Sequence, residues 1–170
     1  MVLFPAELKV SRSLQKTLKK HDYEIRIDTA FRQVMEACSA PRDGQQGTWI
    51  SPAMIAAYTE LHEQGFAHSV ETWVAGELAG GLYGIALGRM FYGESMFSRA
   101  SDASKIAFVH LAKQLERWGF GMIDCQMKTH HLASLGARET PRAEFGNNLA
   151  KLVNLAGISG PWRFDNDLAE

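Results

Sequence analysis

The sequence is short of the features that mark several protein classes. Its 170 residues hold two cysteines, Cys38 and Cys125, and five prolines. Two cysteines make no disulfide framework and suit a reducing compartment. There is no CxxC pair and no HExxH run, so no zinc signature is present. Charge of one sign is lacking too: the net charge is -1, which excludes a chain that coats nucleic acid by global charge alone. No apolar run is long enough to span a membrane. The opening Met1-Val2-Leu3-Phe4-Pro5 has neither the basic stretch nor the apolar segment of a signal peptide. No internal repeat is visible. What is there is an ordinary globular composition, 46% hydrophobic and 22% charged. That is enough for one domain to bury a core unaided.

The first segment with a character of its own is residues 9–20. It carries Lys9, Arg12, Lys16, Lys19 and Lys20 and no acidic residue. A short helix fits, with Ser11 or Ser13 as its cap and Lys19 and Lys20 at the negative end of its dipole. Such a run is either a solvated surface helix or a contact for a polyanion. Residues 23–27 alternate as a half-buried strand, and Asp28 is placed to cap a helix over residues 29–38. Pro41 to Gly47 reads as a loop. Ser51-Pro52 is a strong helix start, and Gly65 is placed to end that helix. Residues 67–74 and 78–87 read as two strands joined by a tight turn, with a third short strand over 89–92. Glu94 to Phe97 breaks the alternation and reads as a loop or bulge. An amphipathic helix over 103–118, capped by Ser101 or Asp102, buries Phe108, Leu111, Leu115 and Trp118. A strand over 120–125, a helix over 129–135 and a last helical pattern over 144–155 follow.

This order implies an α+β (mixed α/β) sheet domain and resembles the acetyltransferase-like (GNAT) fold. Residues 1–22 read as a basic linker helix, 23–156 as the catalytic domain and 157–170 as an irregular tail.

Several side chains stand where chemistry is done. Asp124 falls at the C-terminal end of an apolar strand, where ligands bind in α/β sheets. Desolvation there favours a base or a hydrogen-bond acceptor. A helix cap near Thr129 or a pair with an arginine would explain it equally. Glu94, between apolar neighbours, is either a functional or a backbone-bonded buried carboxylate. Gly80, Gly81 and Gly84 lie inside a strand, so they mark a close approach of another group rather than a phosphate loop. The coenzyme A pyrophosphate turn that would open the long helix is missing from Arg99 to Ser104. The six histidines, His21, His62, His68, His110, His130 and His131, show no metal spacing. Cys125 has nothing nearby that lowers its pKa, and no Gly-x-Ser-x-Gly elbow is present.

Six stretches taken together resemble one family. They are Gly47-Thr48-Trp49-Ile50, Ala67-His68-Ser69-Val70-Glu71, Gly80-Gly81-Leu82-Tyr83-Gly84, Gly93-Glu94-Ser95-Met96-Phe97-Ser98-Arg99, Ile123-Asp124-Cys125-Gln126 and His131-Leu132-Ala133-Ser134-Leu135-Gly136-Ala137. In this order they are similar to the bacterial leucyl/phenylalanyl-tRNA–protein transferases, from about Ser11 to Leu152. The resemblance implies transfer of Leu or Phe, weakly Met, from Leu-tRNA or Phe-tRNA to acceptor proteins with an N-terminal Arg or Lys. The product is a degradation signal of the N-degron pathway. It implies a cytoplasmic enzyme with no cofactor, no metal and no membrane. Residue by residue, it puts Asp124 and Gln126 at the reacting ester and Glu94 on the α-amino group. Trp49 would lie on the terminal adenine. Leu82, Phe91, Met96 and Ile123 would line the side-chain pocket. Arg12, Lys16, Lys19 and Lys20 would meet the tRNA acceptor stem through phosphates. Thr129 stands where the family tends to carry Asn, and Leu82 where a Met can occur. The family also carries an N-terminal part with a Trp-Trp-Ser-Pro-type motif ahead of the basic helix, and this sequence starts almost directly before that helix. Two further classes stay open: a non-catalytic tRNA- or peptide-binding truncated homologue, and a coenzyme A-dependent N-acetyltransferase.

Overall fold

The computed structural model describes residues 1–20, 22–41 and 49–169; the side chains of Asn166 and Ala169 are outside that description. His21, the Arg42–Gly47 part of the loop and the Gly47-Thr48 pair of the first motif lie outside the described residues.

A six-stranded sheet runs in the order β1-β6-β5-β4-β3-β2. The strands are β1 (Val2–Leu3), β2 (Glu24–Ile27), β3 (Ala67–Val74), β4 (Glu77–Leu87), β5 (Met90–Ser98) and β6 (Met122–Asp124). All neighbours are antiparallel except β5 and β6, which are parallel and joined by the long helix α4 (Ala103–Arg117). This crossover on a mixed sheet is the acetyltransferase-like arrangement.

The turn between β3 and β4 is made by Ala75 and Gly76, both at positive φ, the conformation that suits a two-residue hairpin. Helix α4 covers one face with Ile106, Phe108, Leu111 and Leu115, packed on Val70, Leu82, Phe91 and Ile123. Each such side chain contributes about 1.5–3 kcal/mol by leaving water. The other face is covered by α2 (Phe31–Ser39) and α3 (Pro52–Glu63) over β3 and β4. Beside them α6 (Arg142–Leu152) packs Phe145, Leu149 and Leu152 on Val2, Met90 and Met122.

Local signals behave as their chemistry requires at several ends. Ser11 caps α1 (Arg12–Leu18), Ser51 caps α3 and Thr129 caps α5 (His130–Ser134), each accepting from a backbone N–H three residues on. At Gly80 a Cβ would overlap Ala103, so the glycine lets the first turn of α4 lie on the sheet. That is the close approach expected of a strand glycine.

Two expectations are corrected. Asp28 does not cap α2, which starts at Phe31 with Ala30 before it. Asp28 instead turns the chain at φ 59° and gives its carboxylate to His68, the Ser69 N–H and the Trp162 N–H. Neither Ser101 nor Asp102 caps α4 through its side chain; Asp102 is in the left-handed region and pairs with Lys105, while Ser98 Oγ accepts from Ser104 N. Of the loop or bulge expected over Glu94 to Phe97 the structure has the bulge, and these residues form the second half of β5. At the chain's ends β1 pairs with β6, and the segment after α6 runs without regular structure past the buried Trp162 to the short α7 (Asn166–Ala169).

Candidate active site at the opening between β5 and β6

The site follows from one feature of the pairing. β5 and β6 are matched only from Met90 opposite Met122 to Tyr92 opposite Asp124. β6 then stops, while β5 continues to Ser98 along β4. The two chains part at that point, and a cleft of about 1060 Å³ opens there.

The bulge phases the side chains of β5 into it. Tyr83 faces Ser95 and Gly84 faces Gly93, so Glu94 has no opposite partner on β4. Without the extra residue, Phe91 and Met96 would point to opposite faces, because strand side chains alternate. With it, both join the α4 side of the sheet, as Leu82 and Ile123 do. Leu82, Phe91, Met96 and Ile123 therefore form one apolar wall of the cleft, completed by Phe108 and Leu111 of α4.

At the mouth of this slot three polar side chains meet. Asp124, half-buried, accepts at Oδ1 from the backbone N–H of Gln126 at 2.8 Å. That bond ties the turn in which Gln126 sits at φ 57°, a left-handed conformation unusual for glutamine. Asp124 thus neither caps the next helix nor pairs with an arginine among the described residues. The Gln126 amide donates from Nε2 to Glu94 Oε2 at 3.2 Å, linking the end of β6 to the bulge of β5.

Beyond Glu94 lie Tyr58 of α3 and Tyr83 of β4, their rings edge to face at 5.6 Å. Burial first, then Glu94, raises the Tyr58 phenol above its ordinary value. Burial also pushes the Tyr83 phenol up, with Cys38, Glu94 and Tyr58 adding to it. The Tyr83 hydroxyl is buried with no hydrogen-bond partner among the described residues. Trp49, 55% exposed, stands at the rim on this side.

Trp49, Leu82, Phe91, Glu94, Met96, Ile123, Asp124 and Gln126 all line this one cleft. Arg12, Lys16, Lys19 and Lys20 do not. They are exposed on α1 and just after it, form no ion pair among the described residues, and are held there by the buried Leu14. The sequence alone assigns no role here to Tyr58, which it places on the apolar stripe of α3, nor to Tyr83 or Met127, and it offers His131 only by its nearness to Asp124. His131 lines the cleft, with burial and then Lys105 lowering its pKa against a smaller pull from Asp102. Cys125 is unreactive by environment: burial, then Asp124, pushes its thiol up to about 12. Among the described residues no three His, Cys, Asp or Glu side chains converge as metal ligands, and no helix is long and apolar enough to cross a membrane.

Fold and cleft together define an acetyltransferase-like domain with an apolar slot closed by two carboxylates. The same scaffold is seen in L-PGS from Bacillus licheniformis, which superposes with a TM-score of 0.52 at 11% identity, covering 92% of this chain and 53% of that one. The family model described as leucyl/phenylalanyl-tRNA protein transferase matches residues 2–150. Over 165 residues the chain is 68% identical to the leucyl/phenylalanyl-tRNA–protein transferase of Nitrosomonas europaea, covering 97% of this chain and 70% of that protein. It is also 68% identical over 170 residues to the one from Nitrosospira multiformis, covering 100% of this chain and 73% of that protein. The chain belongs to the leucyl/phenylalanyl-tRNA–protein transferase family.

Proposed function

We propose that this chain is an aminoacyltransferase that moves Leu or Phe from its tRNA to the N-terminal Arg or Lys of an acceptor protein. The observation that carries the reading is the joining, in one cleft, of an apolar slot with Asp124, Gln126 and Glu94 at its mouth. A branched or flat apolar side chain fills such a slot, and apolar walls separate substrates by only about 1–3 kcal/mol per methylene, so both donors are accepted.

In this reading the donor's α-ammonium takes the place on Glu94 now held by the Gln126 amide. A cation is the stronger donor to a carboxylate. Gln126 is then free to orient the incoming amine at the ester. A carboxamide is too weak a base to take the proton, so Asp124, at the strand end beside it, accepts it through water. The acceptor nitrogen adds to the ester carbonyl carbon, the bond from that carbon to the ribose oxygen breaks, and the proton ends on that oxygen. An α-amine with a pKa of about 7.7–8.0 is neutral often enough near pH 7 to react. The ester is already activated, so proximity supplies most of the rate. Trp49 offers its exposed face to the terminal adenine. Arg12, Lys16, Lys19 and Lys20 hold phosphates of the acceptor stem without reading sequence.

The test is transfer of labelled Leu from Leu-tRNA to a protein beginning with Arg, in the wild type and in Asp124→Asn and Gln126→Ala. Both variants are expected to lose at least about a hundredfold in single-turnover rate, the scale of a proton-transfer or orienting group, with charged-tRNA affinity nearly unchanged. Loss of affinity at an unchanged rate would make both residues substrate holders. Binding without transfer by the wild type would make the chain a non-catalytic homologue.

A further inference from the structure

We infer that Trp162 is a specificity-determining positioning residue, which sets the depth of the donor slot through the ring of Phe91. This rests on the reading of that slot given above. Trp162 is 2% exposed although it stands in a stretch without regular structure after α6. Its backbone N–H donates to Asp28 Oδ2 at 2.9 Å, and His68 Nδ1 donates to the same oxygen at 2.8 Å. The indole stacks flat on the His68 ring, 3.6 Å between centroids and 5° between planes. Trp118 and Phe120 meet it at 4.9 and 5.7 Å, both steeply inclined. The indole Nε1–H donates to the Ile158 carbonyl at 3.4 Å, so the backbone is tied to Asp28 and the indole is held by its own hydrogen bond and three rings.

Its further aromatic neighbour is Phe91, at 6.0 Å and 36°. Phe91 is a wall of the slot. On another side its ring lies against Gly84, where a Cβ would overlap both the ring and the Tyr92 carbonyl. The Phe91 ring is thus caught between a bare backbone and a locked indole. Interiors are close-packed, so a ring held in this way has no second position of similar energy. A smaller side chain at residue 162 leaves a void behind the ring. Phe91 moves back into it, and the slot deepens. A deeper slot favours the phenylalanyl side chain over the shorter leucyl one.

The experiment measures kcat/KM for Phe-tRNA and Leu-tRNA with one Arg-starting acceptor, in the full chain and in Trp162→Phe and Trp162→Leu. The Phe/Leu ratio is expected to rise about three- to tenfold, the range a pocket change of this size gives, and more in Trp162→Leu. Phe91→Leu should move the same ratio, and the double variant Trp162→Leu/Phe91→Leu should fall short of the product of the single effects, because neighbours sharing a cavity are not additive. A ratio within twofold of wild type in both Trp162 variants, with only the thermal midpoint lowered, would overturn the inference and leave Trp162 a core residue. A wild type that uses neither donor would instead remove the transferase reading, and this inference with it.

Discussion

At the mouth of the slot the proposed roles fall on single residues. Glu94 is the carboxylate of the bulge, and the Gln126 amide is its hydrogen-bond partner. A charged hydrogen bond to an α-ammonium is worth about 1.5–3 kcal/mol, so Glu94→Gln is expected to lower kcat/KM roughly ten- to a hundredfold. The loss should be much smaller with a donor analogue that lacks the α-amine, since that analogue never makes the contact. An equal loss with both would remove Glu94 from the α-amine. The sequence makes some of these residues legible and not others. Asp124 stands out because an apolar strand ends on it. Asp28 misleads because an acidic residue before a helical pattern has the form of a cap. Its partners, His68, Ser69 and Trp162, are at least forty residues away, and no local rule reaches them. Trp162 itself lies among residues with the composition of a loose tail.

At the scale of elements, the bulge in β5 decides whether a slot exists. One inserted residue puts Phe91 and Met96 on the same face and aims Glu94 at the mouth. Broken alternation in the sequence does not say whether a strand ends or is re-phased, so the second half of β5 reads as a loop or bulge. The hairpin before it and the crossover after it are plain, because the Ala75-Gly76 turn is local and α4 carries its apolar face at helical spacing, although its cap comes from Ser98. Gly84 is the strand residue that tolerates the bulge, directly after the register shift on β4 and against the Phe91 ring. Gly84→Ala is expected to destabilise the fold by about 1–3 kcal/mol, the usual cost of overpacking, and to weaken donor use more than tRNA binding. Urea unfolding alongside the transfer assay checks this; an unchanged midpoint with unchanged transfer would mean that the strand has slack the geometry does not show.

At the scale of the whole molecule, the two ends of the chain brace the sheet. β1 lies beside β6, and the C-terminal segment is tied to α4 by Arg117 to Asp165 and Asp167, and by His110 to the Leu168 carbonyl. His110 is buried, donating from Nδ1 to Leu168 and facing the Tyr23 hydroxyl with Nε2. Burial, with a smaller contribution from Lys113 and against the Leu168 bond, pushes its pKa down to about 4. The folded form therefore keeps it neutral while the unfolded chain protonates it near 6.5. Its share of stability is whole above about pH 6.5 and is lost as pH falls from there toward 4, about 2 kcal/mol between pH 7 and 5. Glu71 acts in the opposite sense: burial raises its pKa, so mild acid favours its folded form. The urea midpoint of the wild type is expected to fall between pH 7 and 5, and that of His110→Gln to fall less. Equal slopes would exclude His110 as the group responsible.

The basic residues of α1 do not line the slot, and under the proposed function one charged tRNA spans both. The most direct measurement is a crystal structure of the chain with a non-hydrolysable leucyl-adenosine. The leucyl side chain is expected between Leu82, Phe91, Met96 and Ile123, its ammonium on Glu94, and the Gln126 amide turned away from that carboxylate. A leucyl group bound outside the cleft, with Gln126 still on Glu94, would contradict the account.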